Sequence, residues 1–226
     1  MIEKTRKLVI VGDSAFAEVA YEYFTYDSEY EVVAFSVEKE YIIKESMLGL
    51  PIVPFEELER DYPPENYFVF VAIVYTQLNR LRTRLYKAAK EKGFAMASYI
   101  SPHAFVWRNC KIGEHCFIFE NNVIQPFVTI GDNVVLWSGN HIGHHSVIRE
   151  NCFFSSHVVV SGFVNVGKNC FLGVNATIAN NMSIGDDCLI GANALVAKSI
   201  ESNSIVRGKY GEITPQVALR MYGVKE

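Results

Sequence analysis

The stretch Ile124-Gln-Pro-Phe-Val-Thr-Ile130-Gly-Asp-Asn-Val-Val-Leu136-Trp-Ser-Gly-Asn-His-Ile142-Gly-His-His-Ser-Val-Ile148 decides the fold. A large apolar residue returns at every sixth position, and the beat runs without a miss from Val106 to Val196. A second six-step register, four residues after the first, is mostly small or apolar, as in Cys116, Asn122, Val128, Val134, Asn140, Ser146 and Cys152. Neither the helical period of about 3.6 nor the two-residue alternation of a long strand produces this pattern. Two inward positions in six describe a short strand followed by a corner, stacked as a parallel β-helix. Fifteen six-residue steps give five turns of three strands, so residues 18 apart stack on one edge.

That register also explains the cysteines. Cys110, Cys116, Cys152, Cys170 and Cys188 all fall in the small inward register, which makes them packing residues of a narrow core rather than disulfide or zinc ligands. The chain of 226 residues is half apolar with a net charge of −4, so no basic surface advertises nucleic acid or anionic lipid. No apolar run approaches the roughly 20 residues of a membrane span, and no signal-peptide core is present. A cytoplasmic location is the expectation.

Before the solenoid, strands alternate with helices. Lys7 to Gly12 reads as a buried strand, Asp13 to Phe24 as an amphipathic helix, Glu31 to Ser36 and Gly49 to Pro54 as further strands. Tyr67 to Ile73 is a continuous apolar strand, Leu78 to Lys92 a helix closed by Gly93, and Phe94 to Ile100 a last strand. This order implies a parallel, Rossmann-like α/β sheet over residues 1–99, followed by a β-helix over 100–200 and a tail with a short helix over 201–226. Gly12, Asp13, Ser14 and Ala15 form a strand-to-helix turn, where an anion such as a diphosphate binds well. A generic turn fits the same residues, because Ala15 and Ala17 replace the later glycines of the dinucleotide fingerprint. Ser36 and Val37 end the second strand without an acidic residue, which argues against NAD. Tyr75 and Thr76 follow the fourth strand, at the sheet edge where ligands bind in open parallel sheets, or are ordinary loop residues.

All six histidines follow residue 100, and His141, His144, His145 and His157 lie within 17 residues. His141 should occupy a flat outer face, His144 and His145 a corner, and His157 a later corner. Gly162 stacks over His144, 18 residues on. A glycine there leaves room for substrate and exposes a backbone N–H, so a general base and an oxyanion donor would share one carbonyl carbon.

Repeats such as Ile112-Gly113, Ile130-Gly131, Ile142-Gly143, Val166-Gly167, Leu172-Gly173, Ile184-Gly185 and Ile190-Gly191 resemble those of the hexapeptide acyltransferases. With a βαβ unit joined directly to the solenoid, the chain is similar, from Leu8 to about Val206, to the sugar O-/N-acyltransferases of sialic-acid and bacillosamine pathways. The resemblance implies a left-handed β-helix, a homotrimer with active sites between subunits, acetyl-CoA as co-substrate and no metal. It implies N-acetylation of a nucleotide-linked amino-dideoxy sugar for surface glycans such as lipopolysaccharide O-antigen. The catalytic histidine of that family matches His144, and the glycine at the thioester carbonyl matches Gly162. Substrate contacts would include Gly12, Asp13, Ser14, Ala15, Ser36, Tyr75, Thr76, His141, His145 and His157. Acetyl-CoA contacts would include Gly162, Asn175, Ala192 and Lys198. His145 stands where the family commonly has an acidic residue, and Ser204 to Gly211 lacks its Gly-x-Pro-Ala ending.

Three alternatives remain: a sugar O-acetyltransferase, a γ-type zinc carbonic anhydrase and a non-catalytic nucleotide-binding scaffold. The carbonic anhydrase shares the solenoid but needs three converging histidines, and the spacings of 3, 1 and 12 residues do not resemble its arrangement.

Overall fold

The computed structural model describes residues 2–216 and 218–224. Its N-terminal sheet contains β1 (Arg6–Val11), β2 (Tyr30–Val37), β3 (Ser46–Met47), β4 (Leu50–Pro54), β5 (Tyr67–Val71) and β6 (Ala95–Met96). The strand order is β3-β4-β2-β1-β5-β6, and every pairing is parallel except β3 with β4. β1 is central and buried on both faces from Leu8 to Val11, as its unbroken apolar run requires. Helix α1 (Ala15–Asp27) covers one face with Phe16, Ala20 and Phe24. Helix α2 (Leu58–Asp61) and helix α3 (Arg80–Glu91) cover the other with Leu58, Leu85 and Ala89.

The solenoid takes over at once. Tyr99–Ile100, expected to close the α/β sheet, pairs instead with Phe117–Ile118 and forms the first rung of one solenoid face. The three faces contain seven, six and five parallel strands of two residues each. Residues 18 apart pair up to the last rung, as in Val123 with His141 and His141 with Val159, and there Leu189 pairs with Ile205, 16 residues on. The inward registers form a single column in which Ile118, Ile124, Leu136, Ile142, Phe154, Val160 and Leu172 have no exposed surface. Cys116, Cys152, Cys170 and Cys188 are buried in the same column, Cys110 is half-buried, and all five are free thiols. The last rung is Ile205–Val206, and the tail continues to helix α4 (Ala218–Met221). The short helix expected in the tail over 201–226 is one turn among the described residues; Val217, Lys225 and Glu226 lie outside them.

Each turn closes through three corners, and each corner places one residue in the left-handed backbone region. One corner stacks His115, Asn133, Asn151, Asn169 and Asp187, with φ between 55° and 65°. Another stacks Asn121, Gly139, His157, Asn175 and Asn193. Asparagine and glycine tolerate this conformation, whereas a bulky side chain is strained by roughly 1–2 kcal/mol. The third corner departs from the rule, with Phe127, His145 and Phe163 on successive rungs before Asn181.

The two parts are joined by a polar seam set in aromatic packing. Arg82 of α3 is fully buried. It donates to Asn133 Oδ1 (3.0 Å), Asn79 Oδ1 (3.2 Å) and the carbonyls of Val74 (3.2 Å) and Cys152 (3.2 Å). His115 accepts the Val71 amide on Nε2 (2.8 Å), which leaves Nδ1–H to donate to Asn133 Oδ1 (2.9 Å). From Asn133 an amide ladder climbs the corner to Asn151 (2.9 Å), Asn169 (3.1 Å) and Asp187 (3.1 Å). Around it, Phe16, Phe24 and Tyr23 of α1 pack edge-on against Phe117 of the solenoid. The α/β domain is therefore bolted to one face of the solenoid and to the two corners beside it, where Tyr23 donates to Glu120 (2.8 Å) and Arg82 to Asn133, and the Phe127 corner stays free.

Candidate active site

At that free corner the structure brings His144 and His145 together. His144 Nδ1 lies 3.1 Å from His145 Nδ1, so one ring must donate and the other accept. The His145 ring is stacked between Phe127 (4.5 Å between centroids) and Phe163 (4.7 Å), and Phe163 meets His144 edge-on at 5.0 Å. The backbone is pinned as well: the His144 amide donates to Gln125 Oε1 (2.9 Å) and the His144 carbonyl accepts the Phe163 amide (3.0 Å). Both histidines are exposed. Against Gly162 the fit is close, since a Cβ there would stand 2.8 Å from His144 Cε1 and 2.9 Å from Nε2. Gly162 thus gives the ring its place, as the 18-residue spacing predicts.

The Gly162 amide N–H, expected as an oxyanion donor, donates to Asn180 Oδ1 one rung further on, at 2.9 Å. As the register predicts, His141 lies on a flat face between Val123 and Val159, and His157 stands at a different corner with its ring over Gly139.

A cleft of about 410 Å³ opens at the carboxyl edge of the α/β sheet, lined by Gly12, Asp13, Ser36, Val37, Glu38, Tyr41, Gln77 and Arg84 among others. Gly12 has φ +126°, and a Cβ on it would stand 2.9 Å from the Ala72 carbonyl, so only glycine fits there. Ser14 begins α1 without a side-chain cap bond, leaving the first-turn amides, including that of Ala15, free of one. Ser36 is fully buried and its Oγ has no hydrogen-bond partner. The residue after Val37 is acidic after all: Glu38 accepts two hydrogen bonds from Arg84 (2.7 and 2.8 Å), which hold its carboxyl below the usual range. The acidic residue missing from the strand end thus stands one position later and is already engaged. Gln77, Leu78 and Asn79 form three consecutive left-handed residues between this cleft and α3, so the helix expected from Leu78 begins at Arg80.

Tyr75 is not in this cleft. Its ring packs on Phe171 (4.5 Å) and Phe153 (5.2 Å) of the solenoid, beside a smaller groove lined by Trp137, Ser155 and Ser156. Thr76 is exposed and lines neither cavity. At the far end of the solenoid, Ala192 and Asn193 form a cavity of about 470 Å³ with Arg207, Gly208, Lys209 and Tyr210 of the tail. Asn175 and Lys198 are exposed and lie outside it. The cationic Arg207 and Lys209 were not singled out from the sequence, because only the tail's fold back over Ala192 brings them to the solenoid.

The fold and site have known counterparts. The family described as bacterial transferase hexapeptide (six repeats) matches residues 109–143, 127–162 and 163–198. Perosamine N-acetyltransferase from Caulobacter crescentus, solved as a single-residue variant with CoA and GDP-perosamine, is 26% identical with a TM-score of 0.80, over 89% of this chain and 93% of that one. The acetyltransferase domain of PglB from Neisseria gonorrhoeae is 22% identical with a TM-score of 0.80, over 90% and 97%. WeeI from Acinetobacter baumannii is 18% identical with a TM-score of 0.69, over 90% and 97%. No curated protein sequence matches the chain. The chain is an acyltransferase whose solenoid is a left-handed β-helix of hexapeptide repeats. Its two-part architecture, an α/β unit preceding the solenoid, is similar to that of the perosamine N-acetyltransferase over 89% of the chain.

Proposed function

We propose that this protein transfers the acetyl group of acetyl-CoA to the amine of a nucleotide-linked 4-amino-4,6-dideoxyhexose, with His144 as general base. The observation that carries the reading is the His144 ring seated over Gly162, at an exposed corner free of the α/β domain. CoA and GDP-perosamine are bound by the perosamine N-acetyltransferase of similar fold, which supports a nucleotide sugar in the Gly12 cleft and CoA along the solenoid. Arg207 and Lys209 would meet the CoA phosphates at the far end.

In the proposed reaction the amine nitrogen attacks the thioester carbon while Nε2 of His144 takes an amine proton. The carbonyl electron pair moves to oxygen, returns as the C–S bond breaks, and the CoA thiolate leaves, recovering the proton from His144. A positioned base of this kind contributes about 10²–10⁴-fold. A thiolate leaves readily, because free thiols ionise near ~8.5. The enzyme would work as a cytoplasmic homotrimer, the neighbouring subunit completing the site around the free corner.

The test is release of free thiol from acetyl-CoA with UDP-, dTDP- and GDP-linked 4-amino-4,6-dideoxyhexoses, beside the corresponding 4-hydroxy sugars. Thiol release with an amino sugar alone supports the reading, and release with hydroxy sugars alone would make the protein an O-acetyltransferase. No release with any of them would defeat it, and stoichiometric zinc in the purified protein would favour the carbonic anhydrase reading.

A further inference from the structure

We infer that His145 is the positioning residue for His144: as a neutral imidazole it accepts the Nδ1–H of His144 and keeps Nε2 free to act as base. This inference rests on the proposed role of His144. The 3.1 Å Nδ1–Nδ1 contact allows two arrangements. In one, His145 donates, which makes His144 an acceptor at Nδ1 with its proton at Nε2, and no base is presented. In the other, His144 donates, and its unprotonated Nε2 lies beside Gly162. Proton transfer from an amine requires the second. When Nε2 takes the amine proton, the Nδ1–H bond to His145 persists and charge-assisted hydrogen bonding strengthens it.

The corner is built to hold that acceptor. Among the described residues, the side chains hydrogen-bonded to or stacked on His145 are His144, Phe127 and Phe163. The stack fixes the plane of the His145 ring, and His145 holds its left-handed φ of 58° between Phe127 at 65° and Phe163 at 58°. The other two corners use mostly asparagine, aspartate or glycine at this backbone position, so aromatic rings on three successive rungs need a reason.

Two substitutions separate this role from a packing role, and both are residues the solenoid already accepts at such corners. His145→Phe continues the ring stack and lacks an acceptor. His145→Asn fits the backbone and supplies an acceptor that does not titrate. With acetyl-CoA and the fastest 4-amino-4,6-dideoxyhexose nucleotide of the panel, H145F should lower kcat at least tenfold with KM values changed less than twofold. H145N should retain most of kcat. The opposite order, H145F active and H145N impaired, would show that the ring only packs and would overturn the inference. NMR of the full chain with ¹⁵N-labelled histidine reads the tautomers without any substrate, expecting Nδ1–H on His144 and Nε2–H on His145; Nε2–H on His144 would overturn the inference. His144→Asn keeps the two failures apart: an active H144N defeats the base itself, whereas an inactive H144N beside a normal H145F defeats only the partnership.

Discussion

The His144 imidazole occupies the space where a side chain on Gly162 would begin, with a Cβ there 2.8 Å from Cε1 and 2.9 Å from Nε2. Gly162 has an ordinary backbone conformation, so alanine would be tolerated by the chain but not by the ring. Gly162→Ala should therefore displace His144 and lower kcat about 10²-fold, with the thermal midpoint within a few degrees of the parent. Thiol-release kinetics beside a thermal melt check it.

His144→Ala should reduce turnover at least ~10²-fold while leaving the solenoid intact, because the side chain is exposed and supports no core contact. Single-turnover assays with circular dichroism test both halves. Near-normal turnover would remove His144 from the chemistry.

The buried seam makes a pH prediction. Burial pushes His115 down to about 3, against the smaller upward pull of its bond to Asn133, so the native ring is neutral while an unfolded one titrates near ~6.5. Between those values the unfolded chain binds the extra proton, and stability rises with pH. This contribution is complete above about 6.5 and is lost as pH falls towards about 3, by up to ~1.4 kcal/mol per pH unit. Urea midpoints of the wild type and His115→Gln between pH 4 and 7 should show a flatter slope in the variant.

Arg82 should be the least replaceable residue of the seam. Burial lowers its pKa to about 10, so it stays charged at neutral pH, and its fork serves acceptors on both sides of the domain junction. Arg82→Ala leaves several buried carbonyls unpaired and should cost about 3–5 kcal/mol in chemical denaturation. Arg82→Lys should recover little of that, since one ammonium cannot span the same acceptors.

Gly12→Ala should act on the nucleotide cleft alone. The new Cβ meets the Ala72 carbonyl at 2.9 Å in a backbone conformation that suits only glycine. The expected result is a KM for the nucleotide sugar raised tenfold or more, with CoA affinity by calorimetry unchanged. Weakened CoA binding would mean that the two sites are not separate.

Much of this was legible from the chain because a six-residue repeat converts sequence distance directly into spatial distance. The step of 18 placed Gly162 on His144, and it could equally have placed Phe127 and Phe163 on either side of His145. The same register put His141 on a flat face and His157 at another corner, where the structure has them. Gly12 was readable from a strand-to-helix turn, whereas Glu38 and Arg84 met only when β2 and α3 packed together.

By itself, then, the sequence determined the solenoid, its inward columns and the His144–Gly162 pair, because these depend on a local period that each rung repeats. Tertiary structure alone decided that Tyr75 packs on the solenoid and that Arg82 and His115 join the domains. Hydrogen-bond partners at a seam between domains are chosen by side-chain geometry in three dimensions, and no period in the chain encodes that choice.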